Sequence, residues 1–149
     1  MISRNSDVML PPDENAVVSA VCEHLMSSGY QIIHRSTTTE HGIDVIAEHP
    51  ETKVRVLVEA KGGTSSREGS ERFGKPYTQT QVLDRVAKGI YTCLKYRTAN
   101  PDKKTVRVIL ALPNSPRSFQ EYVNQVLLSL VQAGIEVWYT KDIGDESTR

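Results

Sequence analysis

Two short runs of β-branched residues restrict this chain more than any other feature. Gly42-Ile43-Asp44-Val45-Ile46-Ala47-Glu48 is the first, and Val54-Arg55-Val56-Leu57-Val58-Glu59-Ala60-Lys61 is the second. Such residues favour strands, and His49-Pro50-Glu51-Thr52 between them carries turn chemistry, so the pattern predicts an antiparallel hairpin. Side chains alternate along a strand. Arg55, Leu57, Glu59 and Lys61 therefore share one face of the second run, and Val54, Val56, Val58 and Ala60 share the other. A turn that sets Glu48 roughly opposite Lys53 brings Asp44 opposite Leu57 and diagonal to Glu59, about 7–8 Å away at the backbone. A slip of one residue would send Asp44 to the opposite face.

Two carboxylates at that separation can share one divalent cation. A hard cation such as Mg²⁺ takes oxygen ligands and keeps several waters. Lys61, one alternation past Glu59, can orient or deprotonate a water, or stabilise developing charge. Gly42 allows close backbone approach beside this group. Asp44 followed by Glu59-Ala60-Lys61 resembles the D…(D/E)-x-K signature of the PD-(D/E)XK nuclease superfamily, also called restriction-endonuclease-like; Ile43 stands where that family has proline. The resemblance implies a nuclease hydrolysing DNA phosphodiester bonds. Mg²⁺ or Mn²⁺ would be held by Asp44, Glu59 and the Ala60 carbonyl, and Lys61 would act on the water. Two other readings stand beside it. One is an ordinary charged strand face, and the other is the same fold with catalysis lost, serving as a DNA- or protein-binding module.

A length of 149 residues suits one domain spanning 1–149. The net charge is zero, which argues against a protein that coats nucleic acid non-specifically but leaves room for a local basic rim. Cys22 and Cys93 fall inside predicted helices, there is no C-x-x-C and the histidines are scattered, so no zinc site is expected and buried thiols are. Residues 1–10 are too polar for a signal peptide and no apolar run reaches membrane-spanning length. A cytoplasmic protein without membrane contact is the expectation. No Gly-rich nucleotide loop is present, which argues against a nucleotide cofactor.

Along the chain, residues 1–11 read as a loose lead-in and 141–149 as a frayed tail. Pro11-Pro12-Asp13-Glu14 starts a first helix whose apolar face holds Val17, Val18, Val21 and Leu25, and Ser27-Ser28-Gly29 ends it. Glu14 extends that face by one turn. In the resembled family a glutamate here often joins the metal site; favourable charge at a helix N-terminus is the other reading. Tyr30–Arg35 is a strand, and Ser36–His41 a polar connection.

Gly62 to Tyr77 lacks periodicity and is rich in Gly and Ser. It is expected as a substrate-contacting flap, with Arg67, Arg72 and Lys75 as substrate-binding residues; a plain mobile loop is the alternative. Thr78 and Gln81 have capping-box spacing at the start of a second helix. Gln79 shares the face of Val82, Val86, Ile90 and Cys93, and the resemblance places a glutamine of this helix beside the metal; Gln81 is the fallback. Thr105–Leu112 is a doubly covered central strand. Ser115-Pro116 caps a third helix that buries Phe119, Val123, Val126, Leu127 and Leu130, and Ile135–Tyr139 is the last strand. The order is αβββαβαβ, an α/β fold: the restriction-endonuclease-like αβββαβ core with an appended αβ, a mixed central sheet flanked by helices. A homodimer is expected, with the third helix and the last strand, including Trp138 and Tyr139, as its interface; the other reading makes both aromatics core residues of an edge strand.

Overall fold

β3 (Arg55–Ala60) is the middle strand of the sheet, and both of its faces are buried. In the computed structural model, which describes residues 10–36, 42–64 and 76–140, the chain forms a mixed five-stranded sheet with helices on both faces. α1 (Glu14–Ser27) leads into β1 (Gln31–Arg35), β2 (Val45–Glu48) and β3. α2 (Gln79–Ala99), β4 (Val106–Leu112), α3 (Ser118–Asn124), α4 (Leu127–Ala133) and β5 (Ile135–Tyr139) follow. The strands lie in sequence order. β1, β2 and β3 run antiparallel; β3, β4 and β5 run parallel. The expected αβββαβ order and mixed sheet are therefore present. Arg67, Arg72, Lys75, His41 and most of the expected flap lie outside the described residues, as do 1–9 and 141–149.

Alternation along the strands builds two cores. Val45, Ala47, Val56, Val58, Ala60, Ile109 and Ala111 pack under α1, where Val17, Val18, Val21, Cys22 and Leu25 meet them. Val108, Leu110 and Leu112 face the other way, against Val82, Val86 and Cys93 of α2 and Phe119 and Val123 of α3. β4 is covered on both sides, as its apolar run predicts. Cys22 and Cys93 are free and buried. No helix among the described residues is long and apolar enough to cross a membrane.

Three sequence readings change. The β2–β3 turn sits one position further along the chain. His49 N donates to Val54 O, Lys53 N donates to His49 O, and Lys53 takes a left-handed φ of 64°. The His49 ring nitrogen accepts the Glu51 and Thr52 amides and holds this geometry. Glu48 consequently pairs with Arg55 and Val45 with Val58. The register moves by two residues, an even number, so Asp44 keeps its predicted face and comes level with Glu59 instead of Leu57. Second, the third helix is two short ones. It begins at Ser118, and Val126 (φ −128°) breaks it, leaving Val126 and Leu127 substantially exposed. Third, Trp138 and Tyr139 pack onto the two cores from the edge strand. Trp138 meets His24 edge-on, and the Arg107 guanidinium lies 5.7 Å from its ring centre.

The N-terminus of α1 docks directly on the end of β3. Asp13 caps the helix, its side chain accepting the Ala16 amide at 2.9 Å. Gly63 N donates to Pro12 O at 2.8 Å. At Gly62 there is no room for a side chain: a Cβ would overlap the Glu14 amide nitrogen and stand 2.6 Å from the Asp13 carbonyl carbon. Both obstacles are backbone. Gly62→Ala is therefore expected to cost about 3 kcal/mol, the upper end for overpacking, because no rotamer can relieve the overlap. Denaturant unfolding of parent and variant measures it, and a loss below about 0.5 kcal/mol would show that this junction is loose.

Candidate active site

The strand ends around Gly62 bring together the charged groups read from the sequence. Asp44 immediately precedes β2, and Glu59 is the penultimate residue of β3. Antiparallel pairing puts them at the same edge of the sheet. Asp44 is 8% exposed and Glu59 7%. Asp44 is fixed by both oxygens: Oδ1 accepts the Ser36 hydroxyl at 3.1 Å and Oδ2 accepts the Ala60 amide at 2.8 Å. Its own carbonyl accepts the Ser36 amide. A carboxylate held this way cannot turn without losing bonds, so its position is set by the backbone of the next strand.

Glu59 meets three groups. Its Oε2 lies 3.1 Å from the Lys61 ammonium, which is itself only 13% exposed. Its carboxyl hydrogen-bonds Asp44. The Tyr96 hydroxyl of α2 is near enough that the Glu59 charge, after burial, raises the Tyr96 pKa. Burial, and next the Asp44 charge, raise the Glu59 pKa to about 7, although Lys61 pulls the other way. Glu59 is thus the carboxyl of the pair that takes up a proton as pH falls through about 7. Burial also pushes the Cys93 thiol, packed near Glu59, up to about 12. It is an inert neighbour, not a nucleophile.

Glu14 stands half-buried at the first position of α1. Its pKa is raised, by burial first and then by Asp44, while Lys61 and Arg85 lower it. It thus lies within electrostatic reach of the site. Among the described residues no group of three or more His, Cys, Asp or Glu side chains is arranged to hold a metal ion. Asp44 and Glu59 are the paired carboxylates, and Glu14 feels the charge of Asp44. The pair suits a hard cation on chemical grounds. Both are oxygen donors, they stand side by side, and a cation that keeps several of its own waters asks for few protein ligands.

The α2 glutamines behave differently from the sequence expectation. Gln79 is exposed on the first turn of the helix and does not point into the sheet. Gln81 completes the capping box: its Oε1 accepts the Thr78 amide at 2.8 Å, and its own amide donates to Thr78 Oγ1 at 3.3 Å. A first-turn residue has no preceding turn to bury it, which the face count for Gln79 ignored. Three residues at the site escaped sequence reasoning: Ser36, Tyr96 and Arg85. Tyr96 was findable, lying three past Cys93 on the inner face of α2; Ser36 depends on the hairpin register and gave no signal.

No family model matches the chain, and no curated protein matches it. Two solved structures align with it. One is an XisH family protein from Nostoc punctiforme, 16% identical, covering 87% of this chain and 93% of that one, with a TM-score of 0.48. The other, described as an fdxN element excision controlling factor protein from Anabaena variabilis, is 16% identical and covers 87% and 92%, also with a TM-score of 0.48. Both are likenesses of chain path at low identity.

The Glu59 shift has a measurable consequence for the metal-free protein. The carboxyl titrates near its ordinary 4.5 when unfolded and at about 7 when folded. Between those values the folded form keeps a proton that the unfolded form has lost. Stability therefore falls as pH rises from about 4.5 to about 7 and levels off above, by an amount on the order of 3 kcal/mol at about 1.4 kcal/mol per unit. Glu59→Gln is expected to remove that fall and to be the more stable protein above the window. Denaturation in chelator across this pH range checks it; parallel curves for parent and variant would assign the titration elsewhere.

Proposed function

We propose that this protein is a divalent-metal-dependent nuclease of the PD-(D/E)XK type that hydrolyses DNA phosphodiester bonds. One observation carries the reading: the Asp44 and Glu59 carboxyls are in contact, with the Lys61 ammonium 3.1 Å from Glu59, at one buried end of the central strand. A structural role explains this poorly. Replacing a buried ion pair by apolar residues is often neutral or stabilising, and the positions beside Glu59 on this face are apolar already.

Asp44 and Glu59, with the Ala60 carbonyl, are the groups that would hold Mg²⁺ or Mn²⁺. When bound, the ion would act as a Lewis acid on the phosphate and lower the pKa of a bound water. Asp44 is pre-positioned by Ser36 and Ala60, so it need not reorganise on binding. Tyr96 stands near Glu59, where its hydroxyl could support the carboxylate as metal-ligating carboxylates generally require. Lys61 has three N–H donors and one of them faces Glu59. The others can hold a non-bridging phosphate oxygen and orient the attacking water. In the reaction the water oxygen bonds to phosphorus and gives up a proton to solvent, the bond from phosphorus to the departing sugar oxygen breaks, and that oxygen leaves with a proton from solvent. Zero net charge gives no general attraction to DNA, so these local groups must do the binding.

One site cuts one strand, and a second copy would address the other. Exposed Leu127, Leu128 and Val131 on α4 offer an apolar surface for it. A monomer-only mass by light scattering at high micromolar concentration would reject that arrangement.

The catalytic reading is tested by pairing metal affinity with turnover. Mn²⁺ titration calorimetry is expected to show binding that Asp44→Asn or Glu59→Gln removes. Lys61→Met is expected to retain that binding and lose about 10²–10⁴-fold in the cleavage rate of plasmid and linear DNA. Full activity in Lys61→Met would overturn the role of the lysine. Metal binding with no cleavage by the parent would favour the alternative, a binding module on the same fold.

A further inference from the structure

α2 crosses the end of β3 with a row of residues spaced four apart, Gln81, Arg85 and Gly89, which share one helix face. Gly89 fixes where the row passes. A Cβ on it would stand 3.5 Å from Lys61 Cγ, ordinary contact distance, and 2.7 Å from Leu110 Cδ1, so the helix passes directly over the lysine stem and Leu110. Arg85 is one turn, about 5.4 Å along the axis, toward the helix start. That step is of the order of the separation between neighbouring phosphates on one strand.

Arg85 is held in place. Its Nη2 donates to the Tyr77 hydroxyl at 3.0 Å, and its guanidinium lies 5.0 Å from the Tyr77 ring centre. It acts electrostatically on Glu14, which also feels Asp44 and Lys61, so it belongs to the same field. It forms no ion pair among the described residues; the nearby acid on its helix, Asp84, is paired with Lys88 at 3.1 Å. Guanidinium carries five donors in a rigid fork, and apart from the bond to Tyr77 these make no hydrogen bond among the described residues. Next along the row, Gln81 spends its carbonyl oxygen on Thr78, which leaves its amide N–H groups to donate outward. The first turn of α2 carries no acidic residue.

Lys61, the other cation at the site, is tied to Glu59. We propose that Arg85, braced by Tyr77 and assisted by the Gln81 amide, is the seat for a backbone phosphate of the substrate strand beside the scissile one. A planar fork stacked on an aromatic ring recognises phosphate through two parallel bonds, which a lysine at this place would not reproduce. The proposal deepens the nuclease reading and rests on it.

The test is equilibrium binding of a fluorescein-labelled DNA duplex, followed by anisotropy over a salt series, in a Lys61→Met background that keeps the duplex intact. Arg85→Ala is expected to weaken binding roughly tenfold or more, the value of a hydrogen bond to a charged group. It is also expected to reduce the slope of log affinity against log salt by about 0.9, one phosphate contact on duplex DNA. Arg85→Lys is expected to keep the slope and lose part of the affinity, and Tyr77→Phe to show a smaller loss of the same sign. Mn²⁺ affinity is expected to stay at the parent value in all three. Unchanged affinity and slope in Arg85→Ala would overturn the seat while leaving the nuclease reading intact. A parallel drop in Mn²⁺ affinity would also overturn it, by showing that Arg85 acts through Glu14 on the metal group. A parent that binds DNA but neither binds metal nor cuts would sink the nuclease reading, and the slope would still decide Arg85. No DNA binding by the parent overturns both. Should Arg85→Ala fail to fold, Arg85→Gln, which retains the stem, gives the same readings.

Discussion

The site is organised by one constraint, a carboxyl group buried in the middle strand of the sheet. Glu59 has β2 on one side and β4 on the other, registered against Leu110, with α2 above it. Burying an isolated ionised carboxylate is costly enough that it takes up a proton or finds partners. Glu59 does both. Its pKa is raised to about 7, the ammonium comes from Lys61, and Asp44 and Tyr96 stand beside it. Each partner is brought by a different element, so the hairpin register, the end of β3 and the path of α2 must all be correct together.

The architecture meets that demand because the sheet changes sense at β3. On the antiparallel side the start of β2 lies beside the end of β3, which is how Asp44 comes level with Glu59. On the parallel side the crossover from β3 to β4 must pass over one face, and α2 is that crossover. Its Gly89 passes over Lys61 and Leu110, and its Tyr96 stands near Glu59. The opposite face is closed by α1, whose N-terminus carries Glu14 onto the same edge, and Gly62 gives it the room. Gly62 sets the separation of α1 from the strand end, since a β-carbon there would meet backbone that cannot move aside.

The triplet Asp44, Glu59 and Lys61 was legible because strand alternation depends only on parity. The turn was misplaced by one position, yet the resulting two-residue shift in register left every face unchanged. The exact partner of Asp44 was not legible, since it turns on Lys53 adopting a left-handed conformation that nothing at that position advertises. The doubly covered β4 was legible from its apolar run. The split between α3 and α4 was not, because Val126 and Leu127 continue the apolar periodicity and the break comes from local backbone at a residue without any helix-stop signature. Gln79 misled for a related reason: a helical face is a reliable guide inside a helix and a poor one on its first turn. Tyr96 and Arg85 show the limit of motif reading, as their roles depend on where a helix crosses a strand.

On the nuclease reading, a chain of zero net charge meets a polyanion without help from a distance. Salt screens charges over about 10 Å at moderate ionic strength, so even a basic patch on the far side would contribute little at the site. What matters is the sign of the field within that radius. In the metal-free protein Asp44, Glu59 and Glu14 face Lys61 and Arg85, and the proton on Glu59 brings the group near neutrality. A divalent cation taking the place of that proton would turn the same group positive without moving any protein charge. On the nuclease reading, affinity for DNA and competence to cut it therefore come from one event at the end of β3. Arg85 lies outside the two-carboxylate contact. On that reading it is the protein's own means of keeping a strand seated there.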